Sequence, residues 1–295
     1  MGRTTVIDGI ELTLAAPVEH AAEWIDYNGY ARELEAAWLR LRDDEPTLNP
    51  RLIGEPGLGK TTLASFVGRR LGREVYIFQC TMDTRPDDLL VAPVLAADRR
   101  VEYRASSVVS AMVRGGVVIL DEGNRMPERS WAALAPLMDD RRYVESTTAG
   151  IRVHAHPDFR LCVTMNNDSS VYELPGYIQS RLKPRIDVVK PSLAVQERVL
   201  REKCPGVDAR LLREVLKVLR ERQESANDSV RDMITLAYYA QRLKSAKVAK
   251  PVERAVAQVL QELRESESEG ESEGDGEGEG DGEGEGDSEE EAEAS

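Results

Sequence analysis

One glycine-rich segment has the residue types that bind phosphate. It reads Gly54-Glu55-Pro56-Gly57-Leu58-Gly59-Lys60-Thr61 and is followed by Thr62. Its small residues let backbone N–H groups close around an anion, and the N-terminus of a following helix adds positive partial charge. In this pattern the lysine neutralises the outer phosphates of a nucleotide and the next hydroxyl holds Mg²⁺. We therefore predict a nucleotide site over residues 54–62, with Thr61 as a metal ligand.

The position of this segment separates it from an ordinary glycine-rich turn. An apolar run of strand type, Arg51–Ile53, precedes it, and an amphipathic helical pattern, Thr61–Leu71, follows it. A phosphate-binding loop requires this order of strand, loop and helix. The context favours the functional interpretation.

A second candidate is the apolar run Val117–Glu122, which reads VVILDE and ends in two acidic residues. Alone, such a run is more often a buried strand that meets solvent at its end. After a phosphate-binding loop it predicts one carboxylate near Mg²⁺ and one beside the attacking water. We assign Asp121 to the metal ion and Glu122 to the general base.

Two adjacent asparagines follow a third apolar strand, Leu161–Thr164. At the carboxyl edge of a sheet one of them can present its amide between the terminal phosphate and water. We favour Asn166 over Asn167 for this role. A turn-forming pair is the alternative interpretation.

The elements that must position these residues alternate between strand and helix. The predicted strands are Arg51–Ile53, Val75–Gln79, Val117–Leu120, Arg160–Thr164 and Arg185–Val189. The stretches between them are long enough for helices, which predicts an α/β fold with a mainly parallel five-stranded sheet. Two inserts, Val91–Arg104 and Arg142–Ala155, have turns between apolar flanks and are predicted β-hairpins.

The chain divides into four predicted parts. Residues 1–44 form an N-terminal segment with an amphipathic helix at Tyr30–Arg42, and residues 45–190 form the α/β domain. Residues 191–264 form a small all-helical lid, and residues 265–295 form a tail. We predict the lid helices near 192–203, 208–225, 229–244 and 250–264, with a capping box at the start of the third.

The acidic charge of the chain lies mostly in its tail. Of the 53 acidic residues 16 lie in Glu265–Ser295, which leaves the rest with 37 acidic and 39 basic residues. The body therefore gives no overall electrostatic reason to bind nucleic acid or a membrane. The tail alternates acids with Ser and Gly, cannot bury a core, and is predicted to be disordered. Its role stays open between recruiting a basic partner, keeping an assembly in solution and occupying a basic channel.

The cysteines and apolar runs bear on the compartment. Cys80, Cys162 and Cys204 are odd in number and widely spaced, which argues against a disulfide framework. The first residues lack the pattern of a secretory signal, and no apolar run is long enough to span a membrane. We expect a reducing, cytoplasmic location without membrane contact.

The motifs, taken in order, resemble the AAA+ ATPase superfamily. The phosphate loop, Leu120–Glu122, Thr164–Asn166 and Leu174–Leu182 carry the resemblance, over about residues 45–245. Asp121–Arg125, which reads DEGNR, is similar to the MoxR-like branch, as are the two hairpin inserts. The resemblance implies a P-loop NTPase core that binds ATP and Mg²⁺, hydrolyses ATP, and forms a homo-oligomeric ring, commonly of six subunits.

The resemblance also implies roles for several arginines. Arg181 would reach across a subunit interface as an arginine finger, with Arg185 as the alternative, because an arginine there stabilises charge that develops during transfer. Arg231, at the start of a lid helix, would contact the terminal phosphate within its own subunit. Asn124 and Arg125 would link the Glu122 region to the interface. The first hairpin offers Arg99, Arg100 and Tyr103, which departs from the aromatic pattern of a threading pore.

Three functions remain open at this point. The resemblance favours an ATP-driven machine that remodels or activates a partner protein, and it implies a partner with a von Willebrand A-type domain. The alternatives are a nucleic-acid motor subunit and a nucleotide-dependent scaffold with little turnover. The near-neutral body counts against the first alternative, and the presence of Glu122 and Arg181 counts against the second.

Overall fold

The computed structural model describes residues 3–260 except 20–22, 43–44, 46–47, 97, 168–172 and 223–227. The predicted tail, 265–295, lies outside the described residues. The strands are β1 (Thr4–Ile7), β2 (Ile10–Thr13), β3 (Arg51–Ile53), β4 (Val75–Gln79), β5 (Val91–Leu95), β6 (Val101–Ala105), β7 (Val117–Asp121), β8 (Tyr143–Ser146), β9 (Ile151–His154), β10 (Arg160–Met165) and β11 (Arg185–Asp187). The α-helices are α1 (Tyr30–Trp38), α2 (Lys60–Arg70), α3 (Ser107–Arg114), α4 (Glu128–Leu134), α5 (Gly176–Arg181), α6 (Leu193–Lys203), α7 (Ala209–Arg222), α8 (Val230–Ser245) and α9 (Pro251–Val259).

The central sheet has five parallel strands in the order β11-β3-β10-β7-β4. All six residues of β10 and the first four of β7 are buried. Parallel strands are covered on both faces, so they read as continuous apolar runs. The predicted α/β fold with a parallel five-stranded sheet is confirmed, with strand ends that differ by one or two residues.

The two faces of the sheet bury two separate cores. Alternate residues of β7 point to opposite faces. Val117 and Ile119 pack with α1 and α2, in a cluster that includes Leu34 and Leu63. Val118 and Leu120, which point to the opposite face, pack with α3 and α4 in a cluster that includes Met112 and Trp131. Helices therefore cover both faces of the sheet and leave its carboxyl edge for the site.

Both predicted hairpin inserts are present. β8 and β9 pair as a small antiparallel unit, with Tyr143 opposite His154. β5 and β6 form the first insert, and an N-terminal hairpin extends it to a four-stranded sheet of order β1-β2-β6-β5. β2 pairs in parallel with β6, Leu12 opposite Tyr103, and Leu12 is fully buried. No role for these first residues could be predicted, because a parallel pairing with a strand about 90 residues away leaves no local signal in the sequence.

The C-terminal part is helical, as predicted. α6 to α9 share one core, in which Leu211, Val215 and Leu219 pack with Met233 and Leu236. The predicted capping box at the start of α8 is present, since the Ser229 N–H donates to Asp232 and the Asp232 N–H donates to Ser229 Oγ. Two helices end earlier than predicted, α1 at Trp38 and α9 at Val259. Leu39 has extended backbone angles, which end α1.

None of the helices in the described part of the chain is long and apolar enough to cross a bilayer. The predicted division into domains at residues 44, 190 and 264 stays a prediction.

The buried contact of the N-terminal hairpin can be tested by truncating one side chain. Leu12→Ala leaves a cavity in the core and is expected to lower the free energy of unfolding by about 2–5 kcal/mol. Val6→Ala is the matched control, because Val6 lies in the neighbouring strand and is 66% exposed. Urea unfolding followed by circular dichroism measures both. Equal midpoints for the two variants would contradict this packing.

Candidate active site

The predicted site residues meet at the carboxyl edge of the central sheet. β3 leads into Gly54, β4 ends at Gln79, β7 ends at Asp121, and β10 leads into Asn166. Gln79 and Asp121 are direct neighbours in the ladder. This edge of an open parallel sheet is where α/β proteins bind ligands. Four sequence segments that are far apart along the chain therefore supply one site.

The phosphate loop needs glycine at two kinds of position. Gly57 and Gly59 have φ values of 76° and 84°, in the left-handed region that side chains disfavour. At Gly54 a Cβ atom would lie 2.2 Å from the Val188 carbonyl oxygen. These constraints explain why the loop is glycine-rich before any ligand is considered.

Lys60 crosses the inside of the loop. Its Nζ donates to the carbonyl oxygens of Gly54 and Glu55 at 2.7 and 2.8 Å, and to Oδ1 of Asn166 at 2.8 Å. The side chain is 6% exposed, and a buried ammonium needs such acceptors. The structure thus brings Asn166 to Lys60, whereas the neighbouring Asn167 is exposed. The catalytic role of Asn166 stays a prediction.

Asp121 and Thr61 lie in direct contact. The Thr61 hydroxyl donates to Asp121 Oδ1 at 2.6 Å, and the Thr164 hydroxyl donates to the same oxygen. A hydroxyl and a carboxylate are oxygen ligands of the kind that Mg²⁺ takes alongside water and substrate phosphates. The donor set at Thr61 and Asp121 therefore fits the predicted metal ion.

Glu122 is held by Gln79, which the sequence did not single out, and by Arg125. Its backbone is left-handed, with φ 54° and ψ 44°, a conformation that costs energy and often marks functional sites. Its Oε2 accepts a hydrogen bond from Gln79 Nε2 at 3.1 Å and forms a salt bridge with Arg125 Nε at 3.0 Å, and its N–H donates to the Thr164 hydroxyl at 3.2 Å. Two side chains and one backbone bond thus fix the predicted base.

A signal for Gln79 was available in the sequence. It is the last residue of a predicted strand, and the carboxyl ends of parallel strands meet at one edge. Arg125 and Asn124 had been assigned to linking the Glu122 region with an interface. In the structure Arg125 contacts Glu122, and Asn124 Nδ2 donates to the Asn166 carbonyl at 3.0 Å. Both therefore tie parts of the site together.

The thiol beside the acidic pair has no nucleophilic role. Cys80 is fully buried. Burial, together with the charges of Asp121 and Glu122, raises the pKa of Cys80 to about 12. The thiol is therefore neutral near pH 7, and only a thiolate is a good nucleophile.

A cavity of about 580 Å³ adjoins the phosphate loop. The N-terminal segment, the loop with α2, and the lid each form one wall, and the lining includes Trp24, Tyr27, Leu58, Val199 and Ile234. The rings of Trp24 and Tyr27 are stacked, with centroids 5.4 Å apart and planes at 29°. A mainly apolar cavity with aromatic rings beside a phosphate site suits a nucleobase. The sequence prediction missed this wall, because residues 21–29 carry no motif.

The lid packs directly on the phosphate loop. A Cβ atom at Gly57 would lie 2.4 Å from Ser229 Oγ and 3.4 Å from Arg231 Cβ. Arg231 is exposed and lines the cavity. The structure therefore brings the predicted sensor residue to the chain's own loop.

The two candidate finger residues have contacts elsewhere. Arg181 contacts Asp139 and the Tyr177 carbonyl, and Arg185 pairs with Asp187 at 2.8 Å. Among the described residues neither arginine hydrogen-bonds to the phosphate loop.

The contact between loop and lid can be tested at Gly57. Gly57→Ala is expected to weaken binding of an ATP analogue by about tenfold or more, equivalent to about 1.4 kcal/mol. The added methyl group meets Ser229, and Gly57→Ala/Ser229→Gly should recover part of the loss. Gly72→Ala is the matched control, because Gly72 also has a positive φ of 71° but open space around it. Isothermal titration measures all three. Equal binding by the two single variants would contradict the packing.

Comparison with known proteins agrees with this geometry. Residues 51–182 match the family described as AAA domain (dynein-related subfamily). The chain is 31% identical to the denitrification regulatory protein NirQ of Pseudomonas aeruginosa, over 63% of this chain and 66% of NirQ. It is 29% identical to the protein MoxR of Paracoccus denitrificans, over 50% of this chain and 43% of MoxR. The matched parts thus span about two thirds of NirQ and less than half of MoxR.

The fold is also found among solved structures. The Holliday junction branch migration motor RuvB of Thermotoga maritima matches with a TM-score of 0.53 and 15% identity, over 78% of this chain and 68% of RuvB. At this identity the likeness concerns the fold alone. The family match and the relatives confirm the resemblance derived from the motifs. The chain belongs to the MoxR-like branch of the AAA+ ATPases.

Proposed function

We propose that the protein hydrolyses Mg-ATP within a homo-oligomeric ring and uses the cycle to remodel or activate a partner protein. The observation that carries this proposal is the position of Glu122. Gln79 and Arg125 hold its carboxylate at the sheet edge where Lys60 and the Thr61–Asp121 pair lie. A site built only to hold a nucleotide has no need of an oriented carboxylate on a strained backbone there.

The loop and Lys60 bind the phosphates. The N–H groups at the start of α2 point toward an anion, and a phosphate oxygen can replace the Asn166 amide as an acceptor of the Lys60 ammonium. Thr61 and Asp121 would hold Mg²⁺, which offsets phosphate charge when it is bound. The stacked Trp24 and Tyr27 rings offer a surface for the base.

Glu122 would accept the proton of the attacking water. A general base contributes by holding water within hydrogen-bond reach, so its orientation matters as much as its pKa. Gln79 and Arg125 restrict the carboxylate, and the Asn166 amide lies on the neighbouring strand end to orient the same water. The chain's own residues thus supply water activation and phosphate binding.

The charge that develops in the transition state needs a further cation. Arg231 of the lid lies at the chain's own cavity. Arg181, whose contacts lie on a different part of the surface, fits a neighbouring copy. This division supports a ring, which we propose to be a hexamer.

The partner is proposed to be a protein. NirQ is described as a regulatory protein of denitrification, and by analogy we propose that this chain also acts on a partner, one with a von Willebrand A-type domain. The near-neutral body supports a protein rather than a nucleic acid.

The proposal is tested by ATP hydrolysis together with mass in solution. The native chain is expected to form a ring with ATP and to turn over. Lys60→Ala should lose nucleotide binding, because the loop loses its cation. Glu122→Gln and Arg181→Ala should bind ATP and lose on the order of 10²–10³-fold in kcat. Arg185→Ala tests the alternative finger, because a loss of kcat in that variant and not in Arg181→Ala would assign the role to Arg185.

The outcomes separate the alternatives. A chain that stays monomeric and hydrolyses ATP regardless of Arg181 would be an ATPase without a ring mechanism. An unchanged rate of ATP hydrolysis by Glu122→Gln would contradict the proposal that Glu122 is the general base. Turnover stimulated by DNA, with a steep salt dependence, would favour a nucleic-acid motor.

A further inference from the structure

One acidic residue holds the side chain of Arg181. Arg181 Nε and Nη2 both donate to Oδ2 of Asp139, each at 3.3 Å, and Nη1 donates to the Tyr177 carbonyl at 2.8 Å. A guanidinium has five N–H donors, so within the described residues three are engaged and two remain. The side chain is 29% exposed. It is therefore oriented while still able to donate to an oxygen from outside the chain.

The backbone around this pair is also fixed. Asn49 is buried, and its Nδ2 donates to the Met138 carbonyl at 3.0 Å and to the Arg181 carbonyl at 3.3 Å. Met138 precedes Asp139, and Arg181 is the last residue of α5. A single buried amide thus joins the two segments that carry the ion pair.

A second arginine, Arg141, determines the net charge of the group formed by Asp139, Arg141 and Arg181. Arg141 donates from Nε to Asp139 Oδ1 at 3.0 Å and from Nη2 to Oδ2 at 2.8 Å. Its hydrogen bonds, with a smaller contribution from Arg181, lower the pKa of Asp139 to about 2. The carboxylate is therefore ionised near pH 7. Asp139 and Arg141 form a neutral pair, and the group of three keeps one positive charge.

This charge balance distinguishes the group from an ordinary ion pair. With Asp139 alone, the charge of Arg181 would be offset by the carboxylate that holds it. With Arg141 present, Asp139 can orient Arg181 without cancelling it. An arginine intended to meet phosphate oxygens needs both its orientation and its charge.

We propose that Asp139 is a positioning residue that holds Arg181 ready for the terminal phosphate of ATP bound by a neighbouring copy, with Arg141 as its charge balance. The inference rests on the ring mechanism proposed above. Ordering the side chain in advance removes the entropy cost of orienting it during each turnover. An exposed ion pair with a merely structural role contributes little to stability and nothing to turnover.

The first measurement compares steady-state hydrolysis by full-length variants. Asp139→Asn is expected to lower kcat on the order of 10²-fold, because Arg181 loses its orientation, while KM and nucleotide affinity stay unchanged. Arg141→Gln should lower kcat as well, since Asp139 then offsets the charge of Arg181. Asp140→Asn is the matched control, because Asp140 is the exposed neighbour. Circular dichroism and mass in solution verify that each variant folds and assembles.

The second measurement mixes subunits to separate a role across the interface from a defect within one subunit. Rings of Asp139→Asn with Glu122→Gln subunits are expected to be more active than either parent. The reason is that an Asp139→Asn subunit keeps its own base and receives an intact Arg181 from its neighbour. Arg181→Ala mixed with Glu122→Gln serves as the reference pair.

The outcomes of the two proposals differ. If Arg181→Ala hydrolyses ATP at the native rate, the ring mechanism fails and the inference falls with it. If Arg181→Ala is inactive and is rescued by mixing, the ring mechanism stands. Native kcat in Asp139→Asn, or no rescue of Asp139→Asn in mixed rings, would then overturn the role of Asp139 alone.

Discussion

A positively charged side chain buried at the edge of an apolar sheet constrains much of this structure. The Lys60 ammonium is nearly excluded from water, and burial of an unpaired charge is costly enough that acceptors must be supplied. Two come from the loop backbone, which requires the tight glycine-rich curve. The third comes from Asn166, which requires β10 to end beside β3. The order of the central strands and the shape of the loop are therefore conditions for holding one cation in place.

The residues proposed for hydrolysis and the residue proposed for sensing the nucleotide lie on separate parts of the chain. Strand ends provide Gln79, Asp121 and Asn166 from a rigid sheet, whose residues are buried on both faces. The lid rests on the loop through Ser229 and Arg231, and a salt bridge between Lys203 and Glu23 at 2.9 Å links it to the N-terminal segment. The groups proposed for hydrolysis lie on the sheet, whereas the group proposed to respond to the nucleotide lies on the lid.

The sequence predicted the features that depend on local pattern. The phosphate loop, the acidic strand end and the strand–helix alternation each have a short-range signature, so the fold class and the core of the site were derived before the structure. Three contacts join residues about 40 to 90 positions apart along the chain. They are the hydrogen bond of Gln79 to Glu122, the pairing of β2 with β6, and the hydrogen bonds of Arg181 to Asp139. Such contacts depend on how elements pack, which no single segment encodes. Helix ends were also missed where caps are weak, as at Trp38.

The N-terminal hairpin connects the outer four-stranded sheet to the central sheet. β2 is bonded to the first insert through β6, and the chain then runs to Val18, whose N–H donates to the Val75 carbonyl at 2.8 Å. Val75 begins β4, and β4 ends at Gln79, which holds Glu122. Backbone hydrogen bonds and the chain itself therefore connect the first insert to the strand that ends beside the predicted base. The outer sheet and the edge of the central sheet that carries Glu122 are thus parts of one connected framework.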